Sequence, residues 1–183
     1  MQSNRKQEIY AHFEQNAGDY LQYRKRFSYY GKDIINYLNF FISESDTVLE
    51  IGCGNGDTIH HLKGKEKTGI DFSPKMIEVA KANFSDVDFL VMDAENIKLE
   101  KKFDVIIFNN IIGYLENVQD VFYAIKKNCH EHTRVIISYY NHYWQPLLNL
   151  GETIGYKKKS PQQNWLDTKD ISNLLYLSGF ETY

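Results

Sequence analysis

Short apolar runs alternate along the chain with segments whose apolar residues recur every three or four positions. Runs of this length are typical of buried strands, whereas the three-to-four spacing is typical of amphipathic helices. The predicted strands lie at residues 48–51, 67–72, 87–92, 103–108 and 134–139. Strands that alternate with helices form a parallel sheet covered on both faces. The pattern therefore predicts an α/β fold.

The first forty residues are expected to be mostly helical. An apolar stripe recurs in steps of four within residues 7–17, and helical spacing resumes at 34–42. Residues 19–30 are polar and rich in tyrosine without a clean period, so they are expected to form a link. We therefore divide the chain into an N-terminal helical lid or cap, residues 1–43, and a main domain, residues 44–183.

Capping residues predict two later helices. Ser73 followed by Pro74 is typical of an N-cap and the first helical position. Asp167 is expected to cap a last helix that ends at Gly179. The less regular segment 141–156 is expected to contain a further helix.

Composition indicates an ordinary soluble domain. The chain has 183 residues, 43% hydrophobic and 25% charged, which is the length and composition of one globular domain. No apolar run approaches the length of a membrane span, and residues 1–6 lack the apolar core of a signal peptide, so a cytoplasmic location is expected. The net charge of −3 argues against nucleic acid as the main partner. Cys53 and Cys129 do not make a disulfide framework.

The aromatic content of 15% is high, and 14 of these residues are tyrosines. Four of them, Tyr20, Tyr23, Tyr29 and Tyr30, precede the first strand. Tyrosine rings give contact area at low entropic cost, so a lid over a bound cofactor or acceptor is one interpretation. Helical packing against the sheet is the other.

The segment that follows the first predicted strand carries the strongest chemical pattern. Glu50 is followed by glycines at alternate positions, Gly52, Gly54 and Gly56. Glycines let a ligand approach the main chain closely. A dinucleotide loop, G-x-G-x-x-G, places its third glycine one residue later, and a carboxylate such as Glu50 would repel a pyrophosphate and suit a cation. This pattern disfavours a nicotinamide-dependent oxidoreductase.

Carboxylates also end the next two predicted strands. Asp71 lies 19 residues after Gly52, the spacing at which an acid can accept hydrogen bonds from both ribose hydroxyls, and Asp93 ends the third strand. In an open parallel sheet, ligands bind outside the carboxyl ends of the strands where the strand order reverses. Three acids beside a glycine loop therefore indicate one shared crevice.

Together, the motif Glu-Ile-Gly-Cys-Gly-Asn-Gly at 50–56 and the acids of the next two strands resemble the class I S-adenosylmethionine-dependent methyltransferases. The resemblance implies a Rossmann-like, mostly parallel sheet of seven strands in the order 3-2-1-4-5-7-6, of which 3-2-1-4-5 are visible. We therefore expect a C-terminally truncated or fragmentary chain. Its fifth strand would then be an open edge, covered by a missing tail or paired with a second copy in a homodimer.

The resemblance also implies roles for individual residues. Asp93 would take the adenine amino group, the Ala94 amide would meet the ring, and the Asn109 carbonyl would face the cofactor's ammonium. Phe72 and Met76 would pack on the adenosine, although core packing explains Met76 equally well. The full set of expected S-adenosylmethionine-binding residues is Glu50, Gly52, Gly54, Gly56, Asp71, Phe72, Met76, Asp93, Ala94, Glu95, Asn109 and Tyr20.

From residue 14 onward the chain is similar to methyltransferase domains found alone or fused to dolichol-phosphate-mannose-synthase-like glycosyltransferases. The segments that carry this similarity are 139–146 and 163–166. The fusions imply an acceptor in glycan or lipid-linked sugar metabolism. Tyr114 stands where the common pattern of related enzymes has a histidine.

The function expected is methyl transfer to a small-molecule or glycan- or lipid-linked acceptor by in-line displacement. The protein aligns nucleophile and methyl group and excludes water. A general base is needed only for a protonated nucleophile, and Tyr139, Tyr140 and His142 follow the fifth strand on the substrate side. A non-catalytic S-adenosylmethionine-binding module is the alternative, and an NAD-dependent oxidoreductase is the less favoured third class.

Two further segments carry suggestive residue types. Cys129-His130-Glu131-His132 has metal-ligand chemistry, but its close spacing suits no standard zinc site, so no metal is expected. Lys157-Lys158-Lys159 is expected to be a solvated loop, with contact to a phosphate or anionic lipid as the minor alternative.

Overall fold

A computed structural model describes residues 3–26, 28–139, 150, 153 and 161–182, without the side chains of residues 19–28. The described residues form one parallel sheet of five strands in the order β3-β2-β1-β4-β5, which confirms the predicted order. The predicted limits agree to within one or two residues. The strands are β1 (Thr47–Ile51), β2 (Glu66–Asp71), β3 (Asp88–Val91), β4 (Val105–Asn109) and β5 (Arg134–Ser138).

Six α-helices with defined limits accompany the sheet in the described part of the chain. Ser73 caps α4 by accepting from the Met76 amide (3.1 Å), and Asp167 caps α6 in a reciprocal capping box with Asp170. Both caps confirm the sequence prediction. The helices are α1 (Asn4–Arg26), α2 (Ser28–Phe40), α3 (Asp57–His60), α4 (Pro74–Asn83), α5 (Val118–Ile125) and α6 (Thr168–Leu177).

The central strands are buried on both faces, which explains their unbroken apolar runs. Successive side chains of a strand point to opposite faces. On β1, Leu49 and Ile51 therefore pack with α5 and α6. Val48 packs with Leu38 of α2 and with Ile42, which follows that helix. A third cluster joins α3 and α4 to β3.

The predicted link at residues 19–30 is wrong. Helix α1 continues to Arg26, and α2 begins at Ser28. Leucine, glutamine, arginine and lysine have high helix propensity, so a polar segment can remain helical without an apolar period. The helix expected at 141–156 lies outside the described residues except at 150 and 153, and the lysines at 157–159 lie outside them entirely.

The segment Cys129–His132 lies at the amino ends of the strands, opposite the predicted crevice. His130 Nε2 lies 3.0 Å from Asp104 Oδ1, and Asp104 Oδ2 accepts from the Thr47 amide (2.7 Å). Cys53 and Cys129 are both free thiols, as expected. Of the helices described, none combines the length and apolarity needed to cross a membrane.

Candidate cofactor site

The three predicted carboxylates lie at the carboxyl ends of three neighbouring strands. Glu50 is the penultimate residue of β1, Asp71 is the last residue of β2, and Asp93 follows β3 by two positions. The order of the strands reverses between β1 and β4, where an open parallel sheet has its ligand crevice. The fold therefore brings together the acids that the sequence singled out.

The glycine loop after β1 is bound tightly to β2. The amides of Gly52 and Cys53 both donate to the carbonyl of Ile70, at 2.8 and 3.0 Å. Gly52, Gly54 and Gly56 all have positive φ, between 54° and 78°. Glycine adopts this backbone region without the steric cost that other residues carry. The alternating glycines are thus required by the turn itself.

Gly54 and Gly56 differ in what surrounds them. A Cβ added to Gly56 would lie 2.4 Å from the ring of Phe89, whereas one added to Gly54 would meet no atom within 4 Å. The absence of a side chain at Gly56 lets the start of α3 pack closely against Phe89 of β3 and Ala80 of α4. At Gly54 it leaves open space beside the main chain, where a ligand can approach.

Asp71 is buried and binds the main chain of the segments that follow β1 and β2. Its Oδ2 accepts from the Gly54 amide and its Oδ1 from the Ser73 amide, both at 2.9 Å. Burial raises the pKa of Asp71 to about 6, the two amide hydrogen bonds oppose the rise, and the negative charge of Glu14 adds to it. Burial therefore disfavours the ionised form of Asp71, and further hydrogen-bond donors stabilise that form.

Glu50 is almost fully enclosed, with 1% of its surface exposed. Charges interact strongly at such sites because little water screens them. Burial, followed by the charges of Asp71 and Glu50, raises the pKa of the neighbouring Cys53 thiol, which remains protonated. The base of the crevice is thus electronegative and suits a cationic ligand.

Asp93, Ala94 and Glu95 form the turn after β3. Asp93 Oδ1 accepts from the Glu95 amide (3.0 Å), while Lys6 Nζ pairs with Asp93 Oδ2 at 2.6 Å and also with Glu95 Oε2. Burial lowers the pKa of Lys6, but its bonds to Asp93 and Glu95 outweigh this and raise it. The other oxygen of Glu95 accepts from the amides of Glu116 (2.7 Å) and Asn117 (3.1 Å).

Helix α1 lies over the crevice, which the sequence indicated only in outline. The ring of Phe13 lies 6.2 Å from Phe72 and 5.3 Å from Tyr114, so it bridges the ends of β2 and β4. Glu14 Oε2 accepts from Ser73 Oγ at 2.6 Å. The signal for this role is a second stripe in steps of four, Lys6-Tyr10-Glu14, beside the apolar stripe.

One cavity lies between α1 and the ends of β2 and β3. Its volume is about 300 Å³, and its lining residues are Tyr10, Phe72, Val91, Met92 and Asp93. Met76 is buried and is not among the residues that line it. The cavity combines aromatic walls with a carboxylate at one edge.

The end of β4 is fixed by side-chain hydrogen bonds. Asn109 Oδ1 accepts from Ser138 Oγ (2.6 Å), and Asn109 Nδ2 donates to Thr58 Oγ1 (3.2 Å). Further along, the Tyr114 hydroxyl accepts from Gln163 Nε2 at 2.5 Å. These bonds hold the loop after β4 against both α3 and the C-terminal segment.

Several predicted residues are exposed or lie outside the described structure. The Tyr20 and Tyr23 side chains and all of Tyr140 and His142 fall outside it. Tyr29 is 80% exposed and Tyr30 is also exposed.

Tyr139, the third candidate base, has its hydroxyl 2.8 Å from Thr168 Oγ1. The contacts that the structure describes over the crevice come from residues 5–14 of α1.

A family model described as a methyltransferase domain matches residues 42–177. The chain belongs to this methyltransferase domain family. The matched range contains all five strands and the glycine loop, and it begins after α1 and α2. Class I methyltransferases use S-adenosylmethionine, and the family therefore assigns this cofactor to the domain.

Individual relatives agree with the family. The chain is 32% identical over 104 residues to malonyl-[acyl-carrier protein] O-methyltransferase from Acetivibrio thermocellus, a match covering 54% of this chain and 37% of that protein. It is 28% identical over 161 residues to demethylmenaquinone methyltransferase from Thermotoga maritima, covering 74% and 70%. For the first three curated relatives, which include the Acetivibrio thermocellus protein, the chain spans only about a third of the relative's own length.

The fold is shared with solved methyltransferases. A SAM-dependent methyltransferase from Thermotoga maritima superposes with a TM-score of 0.76 at 20% identity, covering 95% of this chain and 82% of that one. This likeness shows that the methyltransferase domain has the Rossmann-like class I fold.

The crevice fits the cofactor on its own chemistry. S-adenosylmethionine carries a sulfonium and an ammonium, and the base of the crevice holds the buried Glu50 and Asp71. The open side of Gly54 and the aromatic walls of the cavity suit a nucleoside.

Proposed function

We propose that the protein transfers a methyl group from S-adenosylmethionine to a small-molecule or glycan- or lipid-linked acceptor. The observation that carries the proposal is the convergence of Glu50, Asp71 and Asp93 with the glycine loop in one crevice of a methyltransferase domain. When bound, the cofactor supplies a methyl group activated by a sulfonium. The protein's part is to bind, orient and exclude water.

Asp71 is proposed to accept hydrogen bonds from both ribose hydroxyls. An ionised carboxylate has about four acceptor positions, and the amides of Gly54 and Ser73 use two of them. The remaining capacity matches two hydroxyl donors. Additional donors also favour the ionised form that burial disfavours.

The other cofactor contacts follow from position. Glu50 is proposed to complement the cofactor's positive charge, Asp93 to accept from the adenine amino group, and the Ala94 amide to meet the ring. The Asn109 carbonyl is proposed to face the ammonium. Gly54 is proposed to admit the ligand beside its open main chain, and Gly52 and Gly56 are proposed to shape the loop that holds it. Phe72, Met76, Glu95 and Tyr20 complete the proposed set.

Residues 1–43 are proposed to act as a lid or cap. The support is α1, whose Phe13 bridges Phe72 and Tyr114 over the crevice. Excluding water in this way protects an activated methyl group from hydrolysis and strengthens electrostatic contacts. Tyr140 and His142 remain the proposed bases for a hydroxyl acceptor.

The acceptor class has two sources of support. The relatives are named for a malonyl-carrier-protein O-methylation and for a demethylmenaquinone methylation, which favours a small or carrier-linked acceptor. The similarity of 139–146 and 163–166 to domains fused to glycosyltransferases favours a glycan or lipid-linked sugar. An acceptor panel containing both classes distinguishes them.

A homodimer through β5 is the proposed assembly. Strand β5 pairs with β4 on one edge. Among the described residues, no strand pairs with its other edge. Light scattering of the purified chain tests this, since a monomer at all concentrations contradicts it. With a net charge of −3, nucleic acid is not a proposed partner.

The function is tested by two measurements on the same preparation. Calorimetric titration with S-adenosylhomocysteine should show one saturable site, and NAD should show none. A labelled-methyl assay should then give acceptor-dependent product. Binding of NAD instead of the thioether would contradict the proposal, and binding without product on any acceptor would favour a non-catalytic module.

A further inference from the structure

Helix α1 contacts the ends of three strands although it lies outside the residues matched by the family model. Glu14 bonds Ser73 after β2, and Lys6 pairs with Asp93 after β3. Arg5 donates to the Gly113 carbonyl after β4 at 2.8 Å. These contacts join α1 to both sides of the crevice.

The residue of α1 that lines the cavity is Tyr10. Its ring packs edge-on against Phe72, with the ring centres 5.6 Å apart and an angle of 83° between the planes. Adenine is a flat aromatic ring with an amino donor at one edge. Aromatic side walls and the carboxylate of Asp93 at the cavity's edge match both features.

Lys6 holds this carboxylate in place. Its side chain is 13% exposed, and its ammonium bridges Asp93 and Glu95, which would otherwise repel each other. Charge-assisted bonds of this kind are stronger than neutral ones. Glu95 in turn accepts from the amides of Glu116 and Asn117, so both of its oxygens have partners within the protein.

Lys6 and Tyr10 lie on one face of α1. Lys6, Tyr10 and Glu14 are spaced by four, and side chains at this spacing lie above one another. The anchor at Lys6 and the anchor at Glu14 therefore flank Tyr10 and fix its ring against the cavity. The contacts of Lys6 with Asp93, Tyr10 with Phe72 and Glu14 with Ser73 direct this face of α1 towards the strand ends and not towards solvent.

We propose that α1 forms the fourth wall of the adenine pocket, with Tyr10 contacting the base and Lys6 acting as the positioning residue for Asp93 and Glu95. The proposal rests on the proposed function, because it presumes that the cavity takes the adenine of S-adenosylmethionine. It assigns cofactor-site residues to a helix that precedes the family domain.

The test uses two probes that share the adenosine but differ elsewhere. S-adenosylhomocysteine carries the amino-acid portion, and 5′-methylthioadenosine lacks it. Calorimetry at constant pH and salt should show that Lys6→Met weakens both probes alike, about tenfold, because Asp93 loses a charge-assisted contact. Tyr10→Ala should also weaken both probes alike, up to about tenfold, because the base loses an aromatic contact. Glu50→Gln should weaken the binding of S-adenosylhomocysteine alone.

Conservative variants and matched controls separate positioning from general destabilisation. Lys6→Arg and Tyr10→Phe should restore both affinities to within about twofold, because they retain the charge and the ring. Lys32→Met on α2 and Gln15→Ala on α1 change exposed residues and should bind as wild type does. Melting temperatures of the ligand-free variants identify any that fail to fold, and Tyr10→Ala and Lys6→Met test the wall independently.

Unchanged affinity of Lys6→Met and Tyr10→Ala for both probes would overturn the inference. The proposed function would still stand in that case, because the wild-type chain would bind both probes. A loss confined to S-adenosylhomocysteine would also overturn the inference, because the effect would then lie at the amino-acid end. Failure of the wild-type chain to bind either probe would reject the proposed function and the inference together.

Discussion

The backbone amide of Gly54 donates a hydrogen bond of 2.9 Å to Asp71 Oδ2. This bond joins the glycine loop after β1 directly to the end of β2, so the proposed ribose contact and the loop that cradles the cofactor form one unit. The Ser73 amide holds the second oxygen of Asp71. The carboxylate is therefore oriented before any ligand arrives.

Asp71→Ala should weaken S-adenosylhomocysteine binding by about 1–3 kcal/mol, because it removes the acceptor for the ribose hydroxyls. Asp71→Asn should lose less, since one acceptor oxygen remains. Calorimetric titration measures both. Wild-type affinity in the alanine variant would exclude Asp71 as a cofactor contact.

Stability and cofactor binding should respond to pH in opposite directions at Asp71. Its folded pKa is raised from 3.8 to about 6, so between these values the folded state retains a proton that the unfolded state has released. The contribution of Asp71 to stability is thus largest at low pH and falls by about 3 kcal/mol as pH rises through this window.

Binding should instead strengthen over the same window, because the ribose hydroxyls need an ionised acceptor. The affinity for S-adenosylhomocysteine should rise about tenfold per pH unit up to about pH 6 and then level off. Asp71→Asn should remove both dependences. A pH-independent affinity of the wild-type chain would show that Asp71 does not titrate in the site.

Gly56→Ala and Gly54→Ala should separate folding from binding. Gly56→Ala should destabilise the protein by about 2–4 kcal/mol, because its Cβ would overlap Phe89 at positive φ. Gly54→Ala adds a Cβ in open space and should cost only about 1 kcal/mol of backbone strain.

The added methyl group at Gly54 should nevertheless lower cofactor affinity, since it occupies the space beside the main chain. Denaturant unfolding and calorimetry on the two variants give the comparison. Equal losses of stability in the two variants would contradict the packing described at Gly56.

Asp104 provides a control far from the crevice. Hydrogen bonds from the amide and then the hydroxyl of Thr47 lower the pKa of Asp104 to about 2. Its contribution to stability is therefore present above its ordinary value of 3.8 and is lost as pH falls towards about 2.

Asp104→Asn should destabilise the protein by about 1 kcal/mol at neutral pH, a small value because the carboxylate is about one-third exposed. Binding of S-adenosylhomocysteine should not change. Thermal unfolding and calorimetry check the two statements, and a large loss of affinity would mean that the two ends of the sheet are coupled.

The sheet and the acidic crevice were predictable from local patterns. The approximate strand limits followed from apolar runs and helical spacing, and Ser73-Pro74 correctly marked the start of α4. The strand order followed from the resemblance to class I methyltransferases. Because parallel strands carry their ligands at their carboxyl ends, placing Glu50, Asp71 and Asp93 at three strand ends was enough to bring them together.

The cover of the crevice was not predictable in the same way. Lys6 and Glu95 are 89 positions apart, and Glu14 and Ser73 are 59 apart, so neither contact leaves a local signal. Tyr29 and Tyr30 were candidates for the lid because of their type; both are exposed, and their role in the lid stays a prediction. An interaction between distant segments depends on where tertiary packing places a helix, which periodicity alone does not specify.

The most direct test of the account is a crystal structure of the chain with S-adenosylhomocysteine at saturating concentration. We predict density in the crevice between Glu50 and Asp93, with the ribose hydroxyls within hydrogen-bonding distance of Asp71. An empty crevice under these conditions, or the ligand bound elsewhere on the protein, would contradict the central claim.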